Sequence, residues 1–445
     1  MHSKLLFLLS FFCFTQSAWA ILPIQHWQTS NGARVYFVEN RDIPMIDLSI
    51  DFAAGNAYDA AARKGVASMT NRIMRLGAEG LDEEEIARRT ADIGVSVAGR
   101  FDGDSAGLGM RTLSSRAELE QALDIFTRVL QQPTFPAPVL EREKKRLVSA
   151  LKESDIQPGA IVARTFNQLL YGEHPYGFRS SGDVESVMTI TRDDLLGFYK
   201  RHYVARDAVI AIIGDLTRTE ATAMAERLAA RLPVLPVADA VPAVAPVNAR
   251  AKTVTRLLPH HATQSHILVG TLGMSRDDPD YFPLLVGNHV LGGGGFSSRI
   301  SEEVRQKRGL AYSAYSYFSP RVQKGAFAIG MQTRKDQAKE ALDVTMKTLR
   351  DFVATGPTVK ELDDAKNNLV GGFPLRIDSN RKIHEYLALI GFYKLPLNYL
   401  DEFVGKIERV TLADIKRAFA ARIDPDKLVT VVVGAEEAAP ITTAR

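Results

Sequence analysis

The chain has 445 residues, 46% of them hydrophobic and 24% charged, with a formal net charge of +3. At about 100–200 residues per domain that is an ordinary globular protein of two to four domains. A balance of 55 basic against 52 acidic residues excludes a strongly basic nucleic-acid binder, and 8% aromatics exclude a disordered or fibrous chain.

The chain opens on a processing signal. Lys4 supplies a short basic region, Leu5 to Phe14 an apolar run, and Ala18-Trp19-Ala20 a small-x-small cleavage pattern. Cleavage is expected after Ala20, which makes residues 1–20 a signal peptide and the mature chain periplasmic. The single cysteine, Cys13, lies in the discarded piece, and bulky Phe11 and Phe12 before it argue against a lipoprotein signal. The mature chain then has no thiol, no disulfide and no Cys-ligated metal. No later apolar stretch is long enough to span a membrane.

Arg34–Glu39 and Met45–Ala53 read as strands, with further strands between Val95 and Arg111. Gly65–Leu76, Asp82–Ile93, Ser115–Gln131, Val139–Lys152 and Asp155–Gly172 read as helices. Thr191–Gly214 then reads as a capped helix, a turn and a β-branched strand ending in Gly. Thr411–Gly434 repeats that pattern 220 positions later without a gap. Ala122-Leu123-Asp124-Ile125 and Ala341-Leu342-Asp343-Val344 repeat at an offset of 219. The chain is therefore expected to hold two homologous domains, 21–232 and 251–445. Residues 233–250, with four prolines and many Ala and Val, read as a semi-extended linker. Strand runs and helix runs without βαβ alternation imply an α+β class, each domain a mixed sheet with helices packed mainly on one face.

Several motifs follow one another in a fixed order. They are Gly55-Asn56-Ala57-Tyr58-Asp59 with Gly65–Met74, His174-Pro175-Tyr176-Gly177, and Phe198-Tyr199 before the Ile210–Gly214 strand. Leu291–Gly295 with Ser297-Ser298-Arg299, and Arg305 with Gly309–Ser313, complete the set. Together they resemble the insulinase/pitrilysin-type zinc metallopeptidases, the inverted-zincin HxxEH family, over nearly the whole mature chain. In that family two His one turn apart bind zinc, and the Glu between them acts as base on the metal-bound water. Here the matching positions are Ser68, Asn71 and Arg72, which share one helix face by their i, i+3, i+4 spacing. The family's third ligand is a Glu in a later helix. Its matching stretch is Leu147–Ala150, where neither Ser149 nor Ala150 ligates well. The resemblance thus implies no metal in this chain and zinc in a partner.

No other segment replaces the motif. His384-Glu385-Tyr386-Leu387-Ala388 fails at its last position. His260, His261 and His266 fall at the start of a strand, with His261 and His266 on opposite faces, and read as surface and edge histidines. His174 reads as ordering the turn before Pro175. The glycines of Gly292–Gly295 read as a flexible turn beside a substrate chamber. Ser68, Asn71 and Arg72 leave two readings open: a solvated face beside the Val66, Met69, Ile73, Leu76 stripe, or the wall of a chamber that once held metal.

Arg305 and Tyr312 stand seven apart, where a helix end runs into a strand. By themselves they read as a solvated helix-end cation and a half-buried aromatic. The resemblance implies another role, donation to a substrate carbonyl as it becomes an oxyanion. It also implies the function: a non-catalytic, substrate-binding subunit, inactive alone, of a periplasmic heterodimeric zinc peptidase. A homologous HxxEH subunit would close with it as a clamshell over an extended peptide, which adds as a strand to a sheet edge. The alternative is a peptide-binding or structural assembly subunit with no part in proteolysis, akin to processing-peptidase-like subunits. A zinc peptidase with a relocated site has no motif to support it.

Overall fold

The computed structural model describes residues 23–235, 240–248, 253–435 and 442–443. The expected signal peptide and its cleavage point lie outside the described residues, as does part of the 233–250 segment.

The first half carries strands β1 (Gln25–Gln28), β2 (Arg34–Glu39), β3 (Met45–Phe52), the short β4 (Gly77–Ala78) and β5 (Leu81–Asp82), β6 (Ser96–Phe101), β7 (Ala106–Leu113) and β8 (Val209–Gly214). Its helices are α1 (Val66–Ile73), α2 (Glu83–Asp92), α3 (Arg116–Gln131), α4 (Ala137–Ser154), α5 (Pro158–Tyr171), α6 (Val184–Thr189), α7 (Arg192–His202) and α8 (Arg218–Ala229). The second half has β9 (Val254–Pro259), β10 (Gln264–Leu272), β11 (Ala311–Phe318), β12 (Ala326–Arg334), β13 (Val429–Ala435) and β14 (Thr442–Thr443). Its helices are α9 (Tyr281–Asn288), α10 (Ala338–Thr355), α11 (Val359–Gly371), α12 (Asn380–Phe392), α13 (Tyr399–Glu408) and α14 (Leu412–Arg422).

The two large sheets share one plan. The first runs β1-β2-β8-β3-β7-β6 and the second, read from the same side of the repeat, β14-β9-β13-β10-β12-β11. Each has one parallel pair, β2 with β8 and β9 with β13, in otherwise antiparallel order. The 220-residue repeat maps α7 and β8 onto α14 and β13. Thr191 and Thr411 cap their helices identically, each in a capping box closed by Asp194 or Asp414.

The central strands explain how the halves join. All six residues of β8 are buried, and so are seven of the eight in β3. A strand buried on both faces needs cover on both. One face of the first sheet carries Phe37, Leu48, Ile50 and Ile212, packed under the half's own helices through Met69, Phe126, Leu195 and Leu228. The other face carries Tyr36, Val38, Val209, Ala211 and Ile213, and it packs on Leu387, Ala388 and Ile390 of α12 from the second half. The debt is returned in kind. Val162, Phe166 and Leu170 of α5 pack on Leu268, Ala328, Val431 and Val433 of the second sheet. Each sheet thus has its own helices on one face and one donated helix on the other.

Glycines sit where the donated helices cross. A Cβ on Gly391 of α12 would lie 2.4 Å from Val209 Cγ1, and one on Gly270 of β10 would lie 2.9 Å from the Phe166 ring. Polar contacts pin the same seam. Arg100 donates Nε to Asp51 at 2.8 Å and both terminal nitrogens to Glu385 of α12 at 3.0 Å. His384 beside it is buried in the seam with a backbone hydrogen bond to Ala211. Burial first, and then the charge of Arg100, hold its imidazole below the usual range. The described part of the linker is tied down too. Val244 is buried in the α5 cluster, and its carbonyl accepts from Gln323 Nε2 at 3.0 Å.

Gly391→Leu should therefore cost on the order of 1–3 kcal/mol by overpacking the α12 seam, read as a lower urea midpoint. An unchanged midpoint would mean that α12 is not held at this distance.

Candidate functional site

Helix α1 starts after Gly65, whose φ of +90° is a left-handed conformation natural to glycine. Its first turn leaves backbone N–H groups without helical partners. The buried carboxylate of Asp59 takes two of them, Gly65 N–H at 2.8 Å and Ala67 N–H at 2.9 Å. Burial pushes the Asp59 carboxyl up to about 7, against the lowering effect of those two bonds.

The three positions of the degenerate motif then have separate fates. Ser68 is half-buried. Asn71 is buried; its Nδ2 donates to the Gly107 carbonyl in β7 at 2.8 Å and to the Tyr203 hydroxyl at 3.4 Å. Arg72 turns to α4, where its Nε donates to Glu143 Oε2 at 2.7 Å. The Glu143 side chain is 1% exposed, and Arg72 covers it while remaining 44% exposed itself. Arg142 and Arg146 donate to its other oxygen at 3.1 and 2.9 Å. Burial alone would raise the Glu143 carboxyl, but the bonds from Arg146, Arg72 and Arg142 outweigh it and hold the group below its ordinary value.

These residues do not fit zinc. Asn71 is committed to a backbone carbonyl, and Arg72 places a fixed cation on the buried Glu143 carboxylate. On α4, Ser149 returns its hydroxyl to the Lys145 carbonyl at 3.1 Å, and Ala150 carries no ligating atom. Among the described residues no group of three or more His, Cys, Asp or Glu could hold a metal ion. Glu143 escaped the sequence reading. Its signal was its place two helical turns before Ala150, on the same side of one helix. Of the two readings left open for the α1 face, the solvated one does not hold at Asn71, which knits α1 to the sheet.

The histidines are separately occupied. His260 Nδ1 accepts from the Ala262 N–H at 3.0 Å, and its Nε2 lies 3.0 Å from the Ile156 carbonyl. His174 Nδ1 accepts from the Tyr176 N–H at 3.1 Å, at the head of the Pro175 turn. The glycine run is more tightly packed than a flexible turn. A Cβ on Gly292 would lie 2.4 Å from Ser316 Oγ of β11 and 2.5 Å from its backbone nitrogen.

Arg305 and Tyr312 do come together. Arg305 sits in a π-helical turn, Ser301–Gln306, and Tyr312 on β11, the edge strand of the second sheet. The guanidinium lies 4.2 Å from the Phe296 ring centroid and 5.1 Å from that of Tyr312. Tyr312 is 82% exposed and Phe296 67%. No carboxylate among the described residues pairs with Arg305, which is partly buried against the two rings. Phe296, the third member, closes the glycine run and was not singled out from the sequence. No hydrogen bond or ion pair among the described residues joins this cluster to the α1 face.

The duplicated sheet plan has counterparts in known proteins. A model described as Insulinase (Peptidase family M16) matches residues 34–180, and one described as Peptidase M16 inactive domain matches residues 189–369. The chain belongs to the insulinase family, M16. Among solved structures, the peptidase M16 inactive domain from Pseudomonas fluorescens is 37% identical. That match covers 95% of this chain and 100% of the other, with a TM-score of 0.89. The non-peptidase homolog YmxG of Helicobacter pylori is 26% identical over 91% of this chain and 93% of its own length. A Bacillus subtilis relative, uncharacterized zinc protease YmxG, is 24% identical over 87% and 93%. Within M16 this chain is of the inactive type. No helix among its described residues is long and apolar enough to cross a membrane.

The Arg72–Glu143 pair makes a pH-dependent contribution of predictable sign. Glu143 is held below its ordinary value of 4.5 in the fold. The pairing therefore stabilises fully above the unfolded carboxylate's pKa and is lost as pH falls through the depressed folded value. Arg72→Leu should cost about 1–2 kcal/mol at pH 7, toward the low end because Arg72 is partly exposed and two arginines remain. Urea midpoints followed from pH 7 down to the acid limit of folding measure it. A gap between variant and wild type that narrows nowhere below the ordinary carboxylate range would contradict the pairing.

Proposed function

We propose that this M16 chain is the non-catalytic, substrate-binding subunit of a periplasmic heterodimeric zinc peptidase. The observation that carries the reading is the contrast between its two sites. On the α1 face Arg72 is paired with Glu143 and Asn71 is bonded to a backbone carbonyl. The second half presents Arg305, without an acid partner, between two exposed aromatics on a sheet edge. A cation and a phenol held that way suit a peptide carbonyl, because both donate where negative charge develops. A homologous subunit bearing HxxEH supplies the zinc and its water, and the metal chemistry belongs wholly to it. An extended peptide lies between the two chains and pairs as a strand with a sheet edge. The N-terminal signal read from the sequence supports the periplasmic location.

Two measurements test this. The purified mature chain should hold no stoichiometric zinc and show no chelator-sensitive peptidase activity. About one tightly held zinc per chain would overturn the assignment. With the zinc-bearing subunit added, Tyr312→Phe should leave assembly intact and lower turnover by roughly 10²–10³-fold, mostly in kcat. Arg305→Ala should impair both kcat and KM. Wild-type turnover by the Tyr312→Phe complex at matched assembly would remove the active-site role and leave a scaffold.

A further inference from the structure

A cavity of about 490 Å³ opens between the two halves, away from both clusters described above. Five cations line it, Arg34, Arg206, Arg276, Arg321 and Lys394, against two acids, Asp207 and Asp277. Asp207 is engaged by Arg206 at 3.8 Å. The other four cations have no carboxylate within ion-pair distance among the described residues. Arg34 donates one N–H to the Gly391 carbonyl at 2.8 Å. Arg276 lies against the Tyr281 and Tyr393 rings, gives Nη1 to the Tyr281 hydroxyl at 3.2 Å, and has a buried Nε without a partner. Arg321 lies over the Tyr176 ring at 4.6 Å.

Asp277 stays on the cavity wall, but the other acids near enough to neutralise the site are directed elsewhere. Asp278 and Asp280 follow Arg276 in the chain but pair with Arg422 and Arg417. Buried Asp104 accepts from the Tyr176 and Tyr393 hydroxyls and from the Val322 N–H, which occupies its oxygens within the wall. Four like charges gathered in a concave site at a seam repel one another. Such an arrangement is stabilised by an anion that accepts from all of them.

Lys394 adds an independent observation. It follows α12 at the position where a left-handed residue ends a helix, with a φ of +54°, and Leu395 N–H closes the turn on the Ile390 carbonyl at 2.9 Å. Glycine is the default there, because a Cβ makes the conformation unfavourable. Lys394 lines the cavity in this conformation at a conformational cost, the pattern expected of a binding residue.

We propose that this cavity between the halves binds a small organic polyanion through its carboxylate or phosphate oxygens. Its volume suits a compact metabolite-sized ligand. The site owes nothing to the peptidase-partner reading and stands or falls without it.

Calorimetric titration of the full mature chain with citrate, and separately with inorganic phosphate, tests the proposal at low and high NaCl. One-to-one binding of either probe that weakens with salt supports it, and the stronger probe identifies the oxyanion. Lys394→Gly is the diagnostic variant. It should weaken binding by about tenfold through loss of one charged donor while raising the melting temperature, since glycine relaxes the helix end. Arg276→Gln should weaken binding at least as much, and Lys394→Gly carries the test alone if that variant does not fold. No saturable binding of either probe at millimolar concentration, or wild-type affinity in Lys394→Gly, would overturn the proposal.

Discussion

The seating of α5 on the second sheet and of α12 on the first is the interaction on which the rest of the molecule depends. Each sheet has central strands that are apolar on both faces, and the helices of its own half cover one face only. Separating the halves would bare the inner faces of both sheets at once, so neither half has a complete core alone. The seam is also where the polar groups of the two halves must find partners. Arg100 bridging Asp51 and Glu385, and Asp104 collecting two tyrosine hydroxyls, follow from that need. The cationic cavity lies along the same seam, where the chain leaves α12 at Phe392, Tyr393 and Lys394.

The α1 face is held by polar pairing rather than by a metal ligand set. Glu143 remains buried on α4, and a buried carboxylate is costly unless it is paired. Arg72 supplies the charge from the neighbouring helix α1, with Arg142 and Arg146 of α4 on the other oxygen. Asn71 holds α1 to β7 through a backbone carbonyl. The helix therefore keeps its place against the sheet without a metal, and its surroundings are packed to that end.

The second half has the opposite character. Phe296, Tyr312, Tyr315 and Tyr317 all show large exposed surfaces along or beside β11. An open edge strand bearing aromatics is a hazard for a protein with no partner. Arg305, stacked against two of these rings without an acid partner among the described residues, adds a charge that keeps the edge from being purely apolar. The shift in pairing register between Ala311 and Ser313 falls beside Tyr312 and re-aims the start of that strand.

The local pattern was legible from residues alone. Period and capping placed α1, α3, α7 and α14 within a few residues, and the Thr191 and Thr411 repeats announced the duplicated sheet plan, because side-chain periodicity and cap chemistry act over a few neighbouring positions. That positions 68, 71 and 72 hold Ser, Asn and Arg rather than His and Glu was equally plain, since it concerns identity rather than position. The sequence did not reveal that α5 and α12 trade sheets, that Glu143 waits for Arg72, that Phe296 completes the Arg305 stack, or that four unpaired cations face one cavity. Each of these joins residues far apart in the chain, in several cases across the seam between the halves. Burial, and with it the demand for a partner charge or a covering helix, exists only once the two sheets have packed.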